Sequence, residues 1–328
     1  MKRRAFVGAL GSGIAGALLP GPARAAFANA YGRAAPSPRP GSSSRHFVER
    51  WSWAMGQPVH LQLFASSEAH GYDAAAAALA ELRRVESRLT LFDDSSDLCE
   101  LNRRAGRRGL HADRDLCLVL AAALRLEAAT AGGFNPAVEP LMRAWGFRQH
   151  RATPPTAAEI REARDAVQAA RVVIDDDQLS LPSSHTQLDL GGIGVGYGLD
   201  CAISVLKAAG IHDALLDISG DCFAIGTPPD NDQGWLVEIA NPKTGGPPIA
   251  STRLREAGLA TSSNSVSVVR YGQAIRGHVM DPETGWPAKA LTQITVVARS
   301  GTEADALSTA MLVAGKPAVG VVRYFKFM

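Results

Sequence analysis

The chain has 328 residues and a formal net charge of +2, and 46% of its residues are hydrophobic, so it can bury a core as one large or two ordinary domains. The near-neutral charge and the scattered Lys and Arg residues exclude the basic surface that is typical of nucleic-acid-binding domains. Four cysteines without a CxxC pair exclude a disulfide scaffold and the usual zinc spacings, which leaves buried thiols or one incidental disulfide.

The N-terminus reads as a targeting signal. Arg3-Arg4 precede an apolar run, and Ala23-Arg24-Ala25 matches a small-residue cleavage site. With Phe6, the arginine pair resembles a twin-arginine export signal; an ordinary secretory signal or an uncleaved anchor is the alternative. The run is too short and too rich in Gly for a transmembrane helix. We therefore predict a signal peptide over 1–25, a periplasmic location, and a mature protein that is soluble or weakly membrane-associated.

A Pro/Ser-rich linker is predicted over 26–45, and one folded domain over 46–328. Period-two alternation predicts a strand over 59–63. Apolar residues at helical spacing predict helices over 73–89, 113–130, 156–169, 198–209 and 303–313. Further strands are predicted over 171–174, 214–218, 223–226, 235–239, 265–270 and 292–297. Strands and helices occur in clusters without strict alternation, which indicates an α+β fold.

A glycine-rich turn follows the segment Gln187-Leu188-Asp189-Leu190 and leads into a predicted helix. Glycines at such a turn let backbone amides approach a phosphate, and the helix N-terminus favours the negative charge. The stretch Gly191-Gly192-Ile193-Gly194 is neither GxGxxG nor a Walker loop, so by itself a structural tight turn is the better interpretation.

Eight ordered motifs between residues 50 and 315 together resemble the ApbE-like family of FAD:protein FMN transferases. They are Met55-Gly56; Leu91-Phe92 with Ser96 and Leu101-Asn102; Gly133-Phe134-Asn135-Pro136-Ala137-Val138-Glu139-Pro140-Leu141 with Trp145-Gly146-Phe147; Asp189 to Tyr197; Ser219-Gly220-Asp221; Ala260-Thr261-Ser262; His278-Val279-Met280-Asp281-Pro282 with Thr284-Gly285; and Glu303 to Ala310.

The resemblance implies an α+β architecture related to the tunnelling fold, with FAD in a cleft between two lobes. It implies that FAD is split with the help of a divalent ion, usually Mg²⁺. The FMN half then passes to a threonine or serine hydroxyl of a target flavoprotein as a phosphoester, and AMP leaves. Relatives usually continue through further strand after Gly315, so the tail Arg323 to Met328 looks truncated or replaced.

Two of the residues in the last motif suit a metal ion. Asp305 and Thr309 stand four apart on a predicted helix, so both oxygens project from one face. The resemblance makes them metal ligands together with the carbonyl of Gly192, a hard oxygen set of the kind that Mg²⁺ takes. The alternative for Asp305 is a solvated residue in the first turn of the helix, where the dipole favours it.

For the remaining site the resemblance implies a catalytic role for His278 at the flavin pyrophosphate, where it stabilises charge or takes the hydroxyl proton. The matching flavin-binding positions are Met55, Phe92, Gly133, Phe134, Asn135, Asp189, Val195 and Met280. Met55, Phe92 and Phe134 are equally compatible with places in the core. The other histidines form no cluster with ligand spacing.

This sequence departs from the family pattern at several positions. Val195 stands where many members have Lys, and Ser219 replaces a usual glycine. Ser263-Asn264-Ser265 replaces the usual continuation after Thr261-Ser262, and Asn135 stands where Asp is common. The leading hypothesis is Mg²⁺-dependent flavinylation of a protein. Water as the acceptor would make the chain an FAD pyrophosphatase, and a flavin-binding protein without turnover is the third hypothesis.

Overall fold

The structure is a computed structural model that describes residues 45–242 and 246–327. Its strands, in chain order, are β1 (His46–Ala54), β2 (Gln57–Ala65), β3 (Leu110–His111), β4 (Val173–Asp175), β5 (Gln178–Ser180), β6 (Asp213–Ile218), β7 (Asp221–Ile225), β8 (Trp235–Ile239), β9 (Ala250–Leu254), β10 (Ala257–Ser263), β11 (Val268–Tyr271), β12 (Ala274–Gly277), β13 (Gln293–Ala298) and β14 (Arg323–Phe327). Its helices are α1 (Glu68–Leu89), α2 (Asp97–Arg103), α3 (Arg114–Ala129), α4 (Glu139–Ala144), α5 (Ala157–Gln168), α6 (Gly194–Ala208) and α7 (Gly301–Ala314).

The centre of the fold is a seven-stranded sheet in the order β1-β2-β6-β7-β10-β13-β14, with every neighbouring pair antiparallel. β1 and β2 form a hairpin in which Ala54 pairs with Gln57. Its two turn residues, Met55 and Gly56, both have positive φ, at 56° and 67°. Such φ values match the twist of a two-residue hairpin turn. The turn therefore fixes Met55 at one end of the sheet.

Three helices, α1, α6 and α7, cover one face of this sheet. α1 begins at its N-cap Ser67, whose side chain accepts from the backbone of His70, and it buries an Ala- and Leu-rich stripe. α7 is buried on nearly all sides, because it packs against β10 and β13 and also contacts α6 and α3. Polar residues of α7 are consequently taken out of water, which makes them candidates for a site.

The opposite face carries the hairpin of β8 and β9. Trp235 is buried there and donates its indole N–H to the carbonyl of Ile225 at 3.0 Å. A separate apolar cluster lies beneath α4 and α5 and includes Leu141, Trp145 and Met280. This cluster supports the segment that follows the two-stranded sheet of β11 and β12.

The α+β class is confirmed, and most predicted elements are present with shifted ends. α1 and α6 begin five and four residues earlier than predicted, at Glu68 and Gly194. The strand predicted over 265–270 lies at 268–271. The sequence analysis did not predict the helices α2 and α4 or the strands β1, β3, β5, β9, β10, β12 and β14. The residues of the tail, 323–327, pair with β13 as the edge strand of the sheet. The division into two lobes stays a prediction.

The predicted signal peptide and all but residue 45 of the predicted linker lie outside the described residues. The described part of the chain has no helix that is long and apolar enough to cross a membrane. All four cysteines are free thiols, so the incidental disulfide is not formed.

Candidate functional site

The first turns of α6 and α7 lie in direct contact because both begin with glycine. A Cβ on Gly196 would stand 2.2 Å from the carbonyl oxygen of Gly301, a distance that no side chain can occupy. Asp200 of α6 fixes the arrangement by accepting from the backbone N–H groups of Gly301 and Thr302, at 2.7 and 2.9 Å. The glycine-rich turn that precedes α6 is thereby held beside α7.

The three predicted metal-binding residues meet at this contact. Asp305 accepts the backbone N–H of Gly196 through Oδ2 at 3.0 Å. A Cβ built on Gly192 would lie 3.0 Å from Oγ1 of Thr309, so the backbone of Gly192 borders that hydroxyl. Asp305 and Thr309 stand one turn apart on α7. A carboxylate, a hydroxyl and a main-chain segment thus converge from two helices.

Asp305 and Asp221, which we call the acidic pair, are both taken out of water. Burial raises the pKa of Asp305 to about 7, although the hydrogen bond from Gly196 opposes the shift. Burial, and next the charge of Asp305, raise the pKa of Asp221 well above its ordinary value, while Asp221 accepts the N–H of Thr261 at 2.8 Å. Within the described residues, neither carboxylate is in an ion pair with a basic side chain.

Hydroxyl groups of β10 extend the polar environment around Thr309. Ser262 Oγ lies 2.7 Å from Ser308 Oγ and 3.3 Å from Thr309 Oγ1. On the neighbouring residue, Thr261 Oγ1 lies 2.8 Å from Thr295 Oγ1 on β13. The motif Ala260-Thr261-Ser262 therefore orients the hydroxyl of Thr309 through a short hydrogen-bonded network.

The residues at this contact fit a divalent cation. Carboxylate, hydroxyl and carbonyl oxygens are the hard donors that Mg²⁺ prefers. The acidic pair adds two carboxyl groups that form no ion pair with a basic side chain among the described residues. In the same described residues no group of three or more His, Cys, Asp and Glu could hold a metal ion. A cation here would therefore depend on the hydroxyl, on the main chain and on oxygens of the substrate as well as on Asp305.

A second charged group surrounds Asp189. Arg148 donates to Asp189 and also, through Nε, to Oε2 of Glu139 at 2.7 Å. Glu139 is 1% exposed and accepts a further bond from Arg143 at 2.9 Å. Burial raises the pKa of Glu139, and the positive charge of Arg148 works against that shift. We call Arg148 and its two carboxylates the arginine bridge.

The arginine bridge borders a cavity of about 480 Å³, and Phe92 stands on its rim. The ring of Phe92 is 87% exposed, and its centroid lies 5.7 Å from Cζ of Arg148. An exposed aromatic ring beside a guanidinium offers a stacking surface. The exposure of Phe92 excludes its interpretation as a core residue and leaves its interpretation as a ligand contact.

The segment Gly133-Phe134-Asn135 lies next to the metal-binding residues. Phe134 is buried, and its Cε2 lies 3.5 Å from the Cβ position of Gly192. A Cβ on Gly133 would stand 3.5 Å from the carbonyl oxygen of Ala310 on α7. The amide of Asn135 donates to Glu127 and accepts from the backbone of Ala137, each at 2.8 Å. Phe134 is thus a core residue that also borders the site, whereas Asn135 shapes the loop.

Met55 and Val195 lie on the α1 side of α6. The thioether of Met55 contacts the backbone of Gly198, where a Cβ would be 3.5 Å from Cε. Both side chains are partly buried against the apolar cluster of β1, β2, α1 and α6. Position 195 therefore has an apolar environment on one side, which suits the valine of this chain.

His278 follows β12 and lies between charged groups. Its Nδ1 atom is buried and has no hydrogen-bond partner within the described residues. Burial lowers the pKa of His278, while the Ser267 backbone and the charge of Asp189 oppose the shift. The lowered pKa favours the neutral ring, whose free nitrogen lone pair can accept a proton. Met280, two residues later, is buried in the cluster under α4 and forms an isolated bridge with Pro287.

The model of the ApbE family matches residues 55–323. The chain belongs to the ApbE family. It is 30% identical to the FAD:protein FMN transferase of Treponema pallidum over 71% of this chain and 69% of that protein. It is 25% identical to the FAD:protein FMN transferase of Klebsiella pneumoniae over 78% of each.

Solved structures of ApbE proteins share the fold. The ApbE protein of Thermotoga maritima superposes with a TM-score of 0.75 and 27% identity, over 83% of this chain and 88% of that one. The apo form of the flavinyl transferase ApbE of Pseudomonas stutzeri gives a TM-score of 0.71 and 28% identity, over 82% and 85%.

Sequence reasoning missed three residues that the ApbE fold brings to the site. Arg148 follows Trp145-Gly146-Phe147 directly, and Asp221 ends a motif whose aspartate was given no role. Asp200, whose burial raises its pKa against hydrogen bonds from Thr302 and Gly301, was not singled out. An unexplained charge inside or next to an ordered motif is the signal that could have found Arg148 and Asp221.

Proposed function

We propose that this chain transfers the FMN half of FAD to a threonine or serine hydroxyl of a target flavoprotein, with Mg²⁺ as the metal and AMP as the second product. The observation that carries the proposal is the convergence of Gly192, Asp305 and Thr309 beside Phe134, in a chain of the ApbE family. The curated relatives are FAD:protein FMN transferases, which supports the same reaction class.

The proposed transfer breaks one bond and forms another. The acceptor hydroxyl oxygen attacks the phosphorus of the FMN half, and the bond from that phosphorus to the oxygen of AMP breaks, so that AMP leaves with the electron pair. The hydroxyl proton goes to the neutral ring of His278. Bound at Asp305, Thr309 and the Gly192 carbonyl, Mg²⁺ would neutralise charge on the phosphoryl oxygens.

The cavity beside the arginine bridge supports a place for the flavin. Phe92 offers a ring face, and Arg148 offers a cation that Glu139 and Asp189 hold in place. Among the proposed flavin contacts, Asp189 acts through this bridge, and Gly133, Phe134 and Asn135 shape the wall toward the metal. Met55, Val195 and Met280 are proposed on the resemblance to the family and on their positions around α6 and His278.

One experiment separates the three hypotheses. Purified protein is incubated with FAD and Mg²⁺, with and without a threonine-bearing flavoprotein domain. Covalent flavin fluorescence on the acceptor, together with AMP, indicates the transferase. AMP release that is independent of the acceptor indicates an FAD pyrophosphatase, and tight FAD binding without AMP indicates a flavin-binding protein. The last two outcomes contradict the proposal.

We also propose export to the periplasm by the twin-arginine route, supported by Arg3-Arg4 and Ala23-Arg24-Ala25. Replacing both arginines with lysine should leave uncleaved precursor in the cytoplasm, as measured by fractionation and immunoblotting. Unchanged export would instead favour a general secretory signal.

A further inference from the structure

A second cavity lies beside β12, the strand that ends one residue before His278, and takes no part in the site described so far. It has a volume of about 340 Å³ and is lined by residues that include Trp145, Pro154, Pro155, Tyr271, Arg276 and Trp286. We call it the aromatic cleft. None of the proposed flavin or metal contacts lines it. The proposed reaction has two substrates, FAD and the acceptor protein, and this cavity is available to the acceptor.

The aromatic cleft is preformed by hydrogen bonds. Tyr271 donates its hydroxyl to the carbonyl of Trp145 at 2.6 Å, and the indole N–H of Trp145 donates to the carbonyl of Gly285 at 2.9 Å. The rings of Trp145 and Trp286 pack at 5.0 Å between centroids, and Trp286 remains 42% exposed. Rigid aromatic side chains with exposed faces are typical anchors of protein interfaces.

The strand β12 links the aromatic cleft to His278. Ala274 and Arg276 both line the cleft, and successive residues on one face of a strand are two apart. His278 comes two residues after Arg276, just past the end of β12. On its other side His278 is close enough to Asp189 and Arg148 for their charges to act on its pKa. The segment from Ala274 to His278 therefore runs from the lining of the aromatic cleft to the neighbourhood of the arginine bridge.

The charge around the aromatic cleft indicates what it binds. Arg276 lines the cleft, and Nζ of Lys289 lies 5.5 Å from the ring centroid of Trp286. Neither cation is in an ion pair within the described residues, and no lining residue is acidic. A surface with aromatic rings and unpaired cations complements a chain segment that carries Asp or Glu.

We propose that the aromatic cleft docks an extended acidic segment of the acceptor protein and so presents its hydroxyl to His278. This inference rests on the proposed function, since it assigns the second substrate of that reaction. Pro154 and Pro155 on one side and β12 on the other leave a channel in which a segment of the acceptor lies against Trp286, with its acidic side chains toward Arg276 and Lys289.

The test uses the full chain with FAD and Mg²⁺ and a fluorescein-labelled peptide in which one threonine is flanked by aspartates. A second peptide carries lysines in place of the aspartates. Peptide affinity is measured by anisotropy, and FMN transfer to an acceptor domain is measured as a function of its concentration. The variants are Trp286→Ala and Arg276→Glu, and Trp53→Ala on β1 is the matched control for loss of an exposed indole, since Trp53 is 62% exposed.

We expect Trp286→Ala and Arg276→Glu each to weaken binding of the acidic peptide by about tenfold or more, while Trp53→Ala leaves it unchanged. FAD affinity and the melting temperature report whether each variant is folded. Equal binding of both peptides, or equal affinities for wild type and Arg276→Glu, overturns the proposal.

The peptide-binding assay and the FMN-transfer assay test the docking proposal and the transferase reaction separately. If wild type and both variants transfer FMN with the same KM for the acceptor, docking in the aromatic cleft is wrong and the function stands. If no FMN is transferred to any acceptor, the proposed function is wrong. Peptide binding measured by anisotropy then decides alone whether the cleft binds acidic segments.

Discussion

The acidic pair and the arginine bridge both remove carboxylates from water, but only the bridge contains its own counter-charge. Glu139 and Asp189 share Arg148, so their negative charge is compensated by the protein. Asp305 and Asp221 accept backbone hydrogen bonds and are in no ion pair with a basic side chain of the described chain. Burial raises the pKa values of both, and a neighbouring carboxylate adds to each shift: Asp200 acts on Asp305, and Asp305 acts on Asp221.

This difference assigns distinct roles to the two regions. A carboxylate whose charge is compensated inside the protein is already stable and serves to position its partner. A buried carboxylate without compensation costs folding free energy in its ionised form, and a bound cation removes that cost. The acidic pair therefore has the properties of an ion-binding region, and the arginine bridge those of a rigid wall.

The largest expected effect comes from removing the charge of Asp305. Asp305→Asn keeps the shape and an acceptor for the N–H of Gly196, so the fold should survive. FAD turnover should fall by about a thousandfold, since a metal ion at a phosphoryl group contributes several kcal/mol. AMP release is measured against Mg²⁺ concentration, with Glu303→Gln on the same helix as the control. Thr309→Val should change the Mg²⁺ dependence more mildly. A wild-type Mg²⁺ curve for Asp305→Asn would contradict the metal assignment.

Loss of the arginine bridge should lower the stability of the fold. Arg148→Met removes one partner of Glu139, which is 1% exposed, and leaves buried charge uncompensated. We expect a loss of about 3 kcal/mol in the free energy of unfolding, measured in urea. The double variant Arg148→Met/Glu139→Gln should recover much of the lost free energy of unfolding, because position 139 then carries no uncompensated charge. If the double variant is no more stable than the single one, the destabilisation by Arg148→Met does not come from the uncompensated charge of Glu139.

Stability without divalent ions should depend on pH through Asp305. Its folded-state pKa of about 7 lies above the ordinary 3.8, so the folded chain holds this proton more tightly than the unfolded chain between those values. The contribution is fully present below the unfolded pKa and is lost as pH rises through 7, by about 2–3 kcal/mol between pH 5 and pH 8.

Thermal melts in EDTA measure this loss, and Mg²⁺ should restore the melting temperature at pH 8. In Asp305→Asn both the pH-dependent loss and the rescue by Mg²⁺ should be smaller. Rescue of equal size in wild type and variant would place the cation elsewhere.

The smallest expected effect concerns the turn before Asp221. Ser219 has φ of 53°, in the left-handed region that favours glycine. Ser219→Gly should stabilise the fold by up to about 1 kcal/mol, because relief of strain exceeds the added entropy of the unfolded chain. Ser251→Gly, at the exposed position of strand β9, is the control and should destabilise the fold. Equal losses in both variants would show that the turn at Ser219 is unstrained.

The sequence predicts those parts of the molecule that depend on local signals. Two helices predicted to begin at Asp113 and Thr156 have these residues as their N-caps, because a cap depends only on the start of its own helix. The early start of α6 was missed because three glycines at its beginning argue against helix. They are tolerated because the close contact with α7 requires glycine at Gly196. The edge strand β14 was missed for a related reason, since its pairing with β13 is a long-range contact.

The ordered motifs by themselves determined the family, the α+β class and the spacing of Asp305 and Thr309 on one helix face, because these depend on residue type and period. Only the tertiary structure decided that Gly192 borders Thr309, that Asp221 lies beside Asp305, and that Arg148 joins Glu139 to Asp189. Most of those contacts join segments far apart in the chain, and burial is the largest cause of the shifted pKa values of Asp305, Asp221 and Glu139. The sequence pattern alone gives neither these long-range contacts nor the degree of burial of each charge.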